Sequence, residues 1–335
     1  MKVAINGFGR IGRVLFRLLD DDHDIDVVAI NDLTDARQLA YLLKYDSNYG
    51  NYKLNDISFE NDYLIVGNRR IKIYAEKDPN NLPWKDLAVD IVFECTGVFT
   101  SAEKAMAHIN AGAKKVIISA PAKGNVKTVV YNVNEHILDG SEKIISTASC
   151  TTNCLTPVLK ILNDKFKIKH GFMTTVHAYT NDQTTLDIAH PKGIESRRGR
   201  AAALNIVPTS TGAASAIGLV LPELNGKLDG ISMRVPVPVG SVIDLTVQLE
   251  TKTSIEEINN AFKEAANETI QITLDPIVSS DNVGTTYGAL VDAVSTNVLE
   301  VNGEQLVKVV AWYDNEMGYS AQMLRTAKYL MKLNK

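Results

Sequence analysis

Up to about residue 149 the chain alternates short β-rich apolar runs with stretches of helical periodicity, the pattern of a parallel sheet with crossover helices. Runs at residues 2–6, 25–31, 90–95, 115–119 and 143–147 predict strands, and helical spacing predicts helices over 10–19, 37–44 and 102–111. Residues 51–73 read as a small antiparallel set inserted into this alternation. After Cys150 the texture changes. A helix of roughly fifteen residues follows, with Pro157 in its interior, so it either kinks there or begins its regular part late. Longer strand-like runs come next, at 171–179, 231–237, 241–251 and 306–313. Asn302-Gly303, between apolar runs, predicts a two-residue hairpin. Residues 255–267 and 317–333 return to helical periodicity, whereas 180–200 is polar, long and weakly periodic, as functional or interface loops are.

Composition narrows the class without choosing it. Among 335 residues, 45% are hydrophobic and 22% charged, as in a soluble protein of two domains rather than one. A formal charge of −4 argues against a dedicated nucleic-acid or anionic-membrane partner. Three cysteines make no secreted disulfide framework and fit a reducing cytosol. The first ten residues carry Asn6 and two glycines where a signal peptide needs an unbroken apolar core, and no run reaches transmembrane length. A cytoplasmic protein is expected.

Two motifs carry chemistry. Gly7, Gly9 and Gly12 form G-x-G-x-x-G between the first strand and the first helix, a turn that lets backbone approach a pyrophosphate at a helix N-terminus. Asp32, twenty residues after Gly12 and ending the second strand, can hold the adenosine-ribose hydroxyls and repels a 2′-phosphate, which favours NAD over NADP. Glu94-Cys95-Thr96-Gly97 and Ser119-Ala120-Pro121 end later strands at the same edge, with Cys95 read as a packing residue.

The second motif is Ala148-Ser149-Cys150-Thr151-Thr152-Asn153-Cys154-Leu155, which places a cysteine where strand turns into helix. With Ser149 as N-cap, helix-start amides should depress the Cys150 pKa and make a nucleophilic thiolate. Beside a nicotinamide, such a thiolate suggests aldehyde oxidation through a thioester. Of the six histidines, His177 has the most suggestive setting for a general base, ending a β-rich run before the polar Tyr179-Thr180-Asn181-Asp182-Gln183. Cys154 shares a helix face with Cys150 and reads as packing, since no further Cys or His pair completes a metal site. Thr209-Ser210-Thr211-Gly212 reads as an anion-binding turn, with Arg234 and Arg198 as candidate charged partners.

These segments, with Val176-His177-Ala178-Tyr179-Thr180 and Trp312-Tyr313-Asp314-Asn315-Glu316, resemble the phosphorylating glyceraldehyde-3-phosphate dehydrogenases nearly end to end. The resemblance implies Cys150 as nucleophile and His177 as base. It implies NAD contacts from Gly7, Gly9, Arg10, Ile11, Gly12, Asp32, Lys77, Thr96, Ser119 and Asn315. Thr180 and Arg234 would hold the phosphate of glyceraldehyde 3-phosphate. Ser149, Thr151, Thr211, Gly212 and one of Arg197 and Arg198 would place inorganic phosphate. The expected fold class is α/β: a Rossmann-type doubly wound dinucleotide-binding domain over 1–149, and an α+β catalytic and oligomerisation domain with a mostly antiparallel sheet over 150–315. A C-terminal helix, 316–335, is expected to pack back on the first domain. Residues 180–200 would lie at the core of a homotetramer; Ile188-Ala189-His190-Pro191-Lys192-Gly193-Ile194-Glu195-Ser196 departs from the family's shorter Leu-Pro-His-Lys-Asp-Leu type of segment. Two alternatives stay open: an erythrose-4-phosphate dehydrogenase, which lacks phosphate as acceptor, and a non-catalytic NAD-binding protein.

Overall fold

The computed structural model describes residues 1–333 and divides into two compact units. The first comprises residues 1–129, 135–148 and the segment from Met323; the second comprises 130–134 and 149–322. The expected C-terminal helix is observed as Met317–Lys332, and its last expected positions, 334 and 335, lie outside the described residues.

Among the described residues, the first unit holds a nine-stranded sheet. Its order is Lys127–Thr128, Ile144–Ser146, Lys115–Ile118, Ile91–Glu94, Lys2–Asn6, Asp26–Asn31, Arg69–Tyr74, Tyr63–Val66 and Ile57–Glu60. The first seven run parallel, and the last three form the antiparallel set expected between residues 51 and 73. Lys2–Asn6 sits between Asp26–Asn31 and Ile91–Glu94, so the order reverses at its flank. Ligands of open α/β sheets bind outside the carboxyl ends of strands at such a switch. Residues of the central strands are buried on both faces. Val3, Ile5 and Phe93 join Leu15, Phe16 and Leu19 of the Arg10–Asp20 helix, with Met323, Ala327 and Leu330 in the same core. On the opposite face Val92, Val116 and Ile118 pack with Trp84 and Ala105.

The second unit is built on a sheet ordered Val207–Ser210, Leu228–Val235, Ile168–Ala178, Ser241–Leu249, Glu304–Tyr313, Ala289–Asp292 and Ile270–Thr273, with Asn297–Val301 pairing Glu304–Tyr313. It is mostly antiparallel, with two parallel pairings. Ser241–Leu249 alternates strictly between buried and half-buried positions, and its inward Ile243, Leu245 and Val247 face the apolar side of the Cys150–Phe166 helix. The hairpin at Asn302-Gly303 forms with both residues at positive φ, as a type I′ turn requires.

Several expectations are corrected. The helix begins at Cys150 and runs through Pro157 to Phe166, so its regular part does not start late. Thr209 and Ser210 belong to a strand rather than a turn, because Val207–Ser210 finds a ladder partner in Leu228–Val235. The helix expected to reach residue 267 ends at Glu264.

Candidate active site

The glycine-rich turn has steric reasons for Gly7 and Gly12. Gly7 has φ +91°, and a Cβ there would lie 2.8 Å from the Thr96 backbone nitrogen. A Cβ on Gly12 would sit 2.2 Å from the Gly7 carbonyl oxygen, so the helix start packs directly on the turn. Gly9, the N-cap of that helix, faces open space and makes no side-chain cap hydrogen bond. A tight turn, an open approach and close helix packing are what a pyrophosphate cradle needs, and the residues fit NAD. Asp32 follows the second strand; its carboxylate accepts the Phe8 N–H at 2.7 Å and the Thr34 N–H at 2.9 Å, tying the end of that strand to the turn. Lys77, Thr96 and Ser119 each follow a parallel strand at the same edge. Ile11 is half-buried against the core, and the Arg10 guanidinium forks onto Asp46, so a dinucleotide would meet Arg10 through its backbone. Cys95 is half-buried, and burial with the neighbouring Glu94 pushes its thiol up to about 12, as suits a packing residue.

Ala148-Ser149, where the chain passes from the first unit into the second, turns it from strand to helix, Ala148 at φ +56°. Ser149 caps the helix, its Oγ accepting the Thr152 N–H at 3.1 Å. Cys150 Sγ then lies 3.4 Å from His177 Nε2. His177 is the penultimate residue of the Ile168–Ala178 strand, buried, with its ring edge-on to Tyr313 at 5.9 Å. Nδ1 is 2.6 Å from the Ala178 carbonyl oxygen. A carbonyl only accepts, so Nδ1 carries the proton and the neutral ring offers its Nε2 lone pair to the thiol. Burial and then the Arg234 charge push His177 down to about 3.

The expected depression of Cys150 is overturned. Burial is the largest influence and holds the thiol above its usual value, although Arg234, a hydrogen bond from Thr151 and backbone donors pull the other way. Burial thus works against both charged forms, thiolate and imidazolium, and Arg234 offsets it only for the thiolate. Cys154 is buried in the same helix, its thiol 3.8 Å from the Ala311 carbonyl.

Strand register places Arg234 directly beside His177. Its guanidinium donates to Thr180 Oγ1 at 2.8 Å and to the Ala178 carbonyl at 3.2 Å. Thr180 in turn donates to Asp182, which also pairs with Arg198. Arg198 Nε reaches Thr209 Oγ1 at 3.1 Å, whereas Arg197 is exposed at φ +56°. The geometry thus joins Arg198, and not Arg197, to the Thr180–Arg234 group. Burial works to raise Asp182, but the Thr180 hydroxyl and the two arginines hold its carboxyl below the usual range. Sequence reasoning passed over Asp182; the signal was its position two residues after Thr180 in a chain with two arginines to balance. Thr211 Oγ1 accepts the Ala213 N–H at 3.2 Å, and exposed Gly212 caps the Ala213–Val220 helix. Thr151 Oγ1 lies 2.9 Å from the Tyr313 hydroxyl, which meets Thr175 Oγ1 at 2.7 Å. Asn315 Oδ1 accepts from Gly240 N at 3.2 Å and Ser241 Oγ at 3.1 Å, which fixes the amide with Nδ2 as its donor end.

A doubly wound dinucleotide-binding unit together with an α+β unit carrying a thiol–imidazole pair defines the class of NAD-dependent dehydrogenases. Residues 1–102 match the glyceraldehyde 3-phosphate dehydrogenase NAD binding domain, and residues 149–315 match the C-terminal domain of the same enzymes. The chain is 57% identical to the glyceraldehyde-3-phosphate dehydrogenases of Clostridium acetobutylicum and Clostridium pasteurianum, over all of this chain and 99% of each relative. It is 56% identical to that of Streptococcus pyogenes at the same coverage. The chain belongs to the glyceraldehyde-3-phosphate dehydrogenase family.

Proposed function

We propose that the protein oxidises glyceraldehyde 3-phosphate to an acyl phosphate with inorganic phosphate and NAD. The observation that carries the reading is the 3.4 Å approach of Cys150 Sγ to a His177 Nε2 whose tautomer is set by Ala178. NAD would be held by Gly7, Gly9, Arg10, Ile11, Gly12, Asp32, Lys77, Thr96 and Ser119, with the Asn315 amide donor for the carboxamide, and supplies the hydride acceptor. His177 Nε2 takes the thiol proton as Sγ adds to the aldehyde carbon, then returns it to the new alkoxide, giving a hemithioacetal. As the hemithioacetal is oxidised, its hydroxyl proton goes to His177 Nε2 and the C–O bond becomes the thioester carbonyl. Inorganic phosphate adds to that carbonyl and the Cys150 thiolate leaves, to be reprotonated by the imidazolium.

Arg234 and Thr180 are assigned to the substrate's phosphate. Arg198, Thr211, Gly212, Ser149 and Thr151 are assigned to the attacking one, with Asp182 setting the charge and direction of both arginines. We further propose a homotetramer in the cytoplasm. Its support is the exposure of Leu186, Ile188, Ile194, Leu204 and Ile206 along one polar stretch of chain, and three free thiols that suit a reducing compartment. Among the described residues no helix is long and apolar enough to cross a membrane.

The test follows NADH absorbance with glyceraldehyde 3-phosphate and NAD, with and without inorganic phosphate. Rapid turnover that requires phosphate is expected. Turnover indifferent to phosphate would move the assignment to the erythrose-4-phosphate type, and no NADH would leave a binding protein.

A further inference from the structure

Behind the glycine-rich turn, in the first unit, lies a buried polar network that none of the chemistry above uses. Glu94, at the end of its strand, is 1% exposed and His108 is fully buried. Glu94 Oε2 accepts Asn6 Nδ2–H at 2.5 Å and lies 3.1 Å from His108 Nε2. Its other oxygen accepts the Thr96 N–H at 2.8 Å and the Thr96 hydroxyl. Trp84 Nε1, which can only donate, is 3.0 Å from His108 Nδ1. Nδ1 is therefore the acceptor, and Nε2–H donates to Glu94.

The direction propagates across the sheet. With Asn6 Nδ2 donating to Glu94, its Oδ1 is left to accept, and Asn31 Nδ2 donates to it at 2.7 Å. Asn31 Nδ2 also reaches the Glu76 carbonyl at 2.9 Å, and Asn31 Oδ1 accepts the Glu76 N–H at 2.9 Å. Four members of this chain adjoin or are residues assigned to NAD: Asn6 precedes Gly7, Asn31 precedes Asp32, Glu76 precedes Lys77, and Thr96 is held directly. A buried carboxylate that accepts four donors is a costly way to fill space, and an apolar core would serve packing alone as well.

We propose that Glu94, Asn6 and His108 are positioning residues for NAD: one directed chain of hydrogen bonds, oriented by Trp84, sets the four loops of the dinucleotide site in register. The proposal rests on the NAD reading of the glycine-rich turn. Its distinctive claim is direction. In Glu94→Gln, an amide replaces an all-acceptor group, and its NH2 opposes either the Thr96 N–H or the Asn6 and His108 donors. Adding Asn6→Asp reverses the pair. The amide at position 94 can then donate to residue 6 while its oxygen keeps Thr96, the new carboxylate still accepts from Asn31, and His108 Nε2, 3.4 Å from Asn6 Nδ2, can turn its N–H to it.

The experiment titrates NAD into the full-length protein and its variants, and measures Cys150 alkylation by iodoacetamide as a readout of the other unit. Wild type is expected to bind; failure to bind would sink the NAD reading itself and the proposal with it. Glu94→Gln is expected to raise the NAD Kd by about tenfold or more, the size of losing one hydrogen bond to a charged group, with the alkylation rate unchanged. Asn6→Asp with Glu94→Gln should recover most of that loss, which a packing role would not allow. If Glu94→Gln alone does not fold, recovery of folding and NAD binding in the double variant reads the same reversal. Nitrogen NMR should find His108 protonated at Nε2. The proposal is overturned by a folded Glu94→Gln that binds NAD within twofold of wild type, by a double variant no better than the single, or by the opposite tautomer.

Discussion

His177 Nδ1 lies 2.6 Å from the carbonyl of Ala178, the next residue in its own strand, and this contact decides which ring nitrogen faces Cys150. Ala178 is itself held from the far side, its N–H donating to Ser241 Oγ at 3.1 Å, and the Ser241 hydroxyl goes on to Asn315. The proposed base and the proposed carboxamide donor thus share one backbone clamp. His177→Asn should lower turnover by about 10² to 10⁴, the usual worth of a positioned base, while leaving NAD titration unchanged. Steady-state kinetics beside NAD binding checks it; turnover within threefold of wild type would mean that Cys150 needs no imidazole.

Burial of the same ring makes a stability prediction. His177 is pushed down to about 3 in the folded protein against an ordinary 6.5. Between those values the unfolded chain binds a proton that the folded chain refuses, so stability falls as pH drops through this window. By pH 5 the loss is about 2 kcal/mol. Asp182, a carboxylate held low, keeps its contribution at pH 5 and loses it only on further acidification. Thermal unfolding at pH 7 and pH 5 should therefore show a smaller drop for His177→Gln than for wild type. Equal drops would show that the ring is protonated in the folded state.

What could be read from the sequence divides along physical lines. The positive φ at Gly7 and the approach of Gly12 to the Gly7 carbonyl are local constraints, which makes the glycine spacing legible, whereas the Thr96 contact of Gly7 is not. Cys150 at a helix start was legible for the same reason, because Ser149 is a cap by residue type. The protonation state of Cys150 was not, since it depends on how deeply the fold buries the thiol and on Arg234, eighty-four residues away in sequence. The choice between Arg197 and Arg198 was equally closed to spacing. It turns on the left-handed backbone at Arg197, which sends adjacent side chains to different surroundings. Asp182 carries only a weak signal, its place two residues after Thr180, because a counter-ion is defined by its partners.

Arg234 acts on both members of the thiol–imidazole pair, lowering Cys150 and lowering His177. Arg234→Leu removes a cation from beside the thiol, so the midpoint of the pH dependence of Cys150 alkylation should move up. It also takes away the Thr180 partner, and the KM for glyceraldehyde 3-phosphate should rise by about tenfold or more, as expected for losing a charge-assisted hydrogen bond to a phosphate. An alkylation profile unmoved or shifted to lower pH would contradict the electrostatic role. An unchanged KM would remove Arg234 from the phosphate site.

Asp32 offers the sharpest separation of fold from cofactor choice, because the carboxylate that holds the turn is also the one proposed to face the ribose. One oxygen accepts the Phe8 N–H and so anchors the glycine-rich turn; the other accepts the Thr34 N–H and anchors the end of the second strand. Each oxygen keeps a further lone pair for a ribose hydroxyl, and the charge opposes a 2′-phosphate. Asp32→Ala should weaken NAD by about tenfold or more through both losses, yet weaken NADP less, since repulsion of its phosphate goes with the charge. Asp32→Asn separates the two. Its single oxygen can keep the Phe8 clamp while the charge is gone, so NAD affinity should fall less than in Asp32→Ala, and the preference over NADP should relax in both. Cofactor titrations of the two variants decide the matter. A ratio of NAD to NADP affinity unchanged from wild type in Asp32→Asn would mean that the carboxylate serves the turn alone and does not face the ribose.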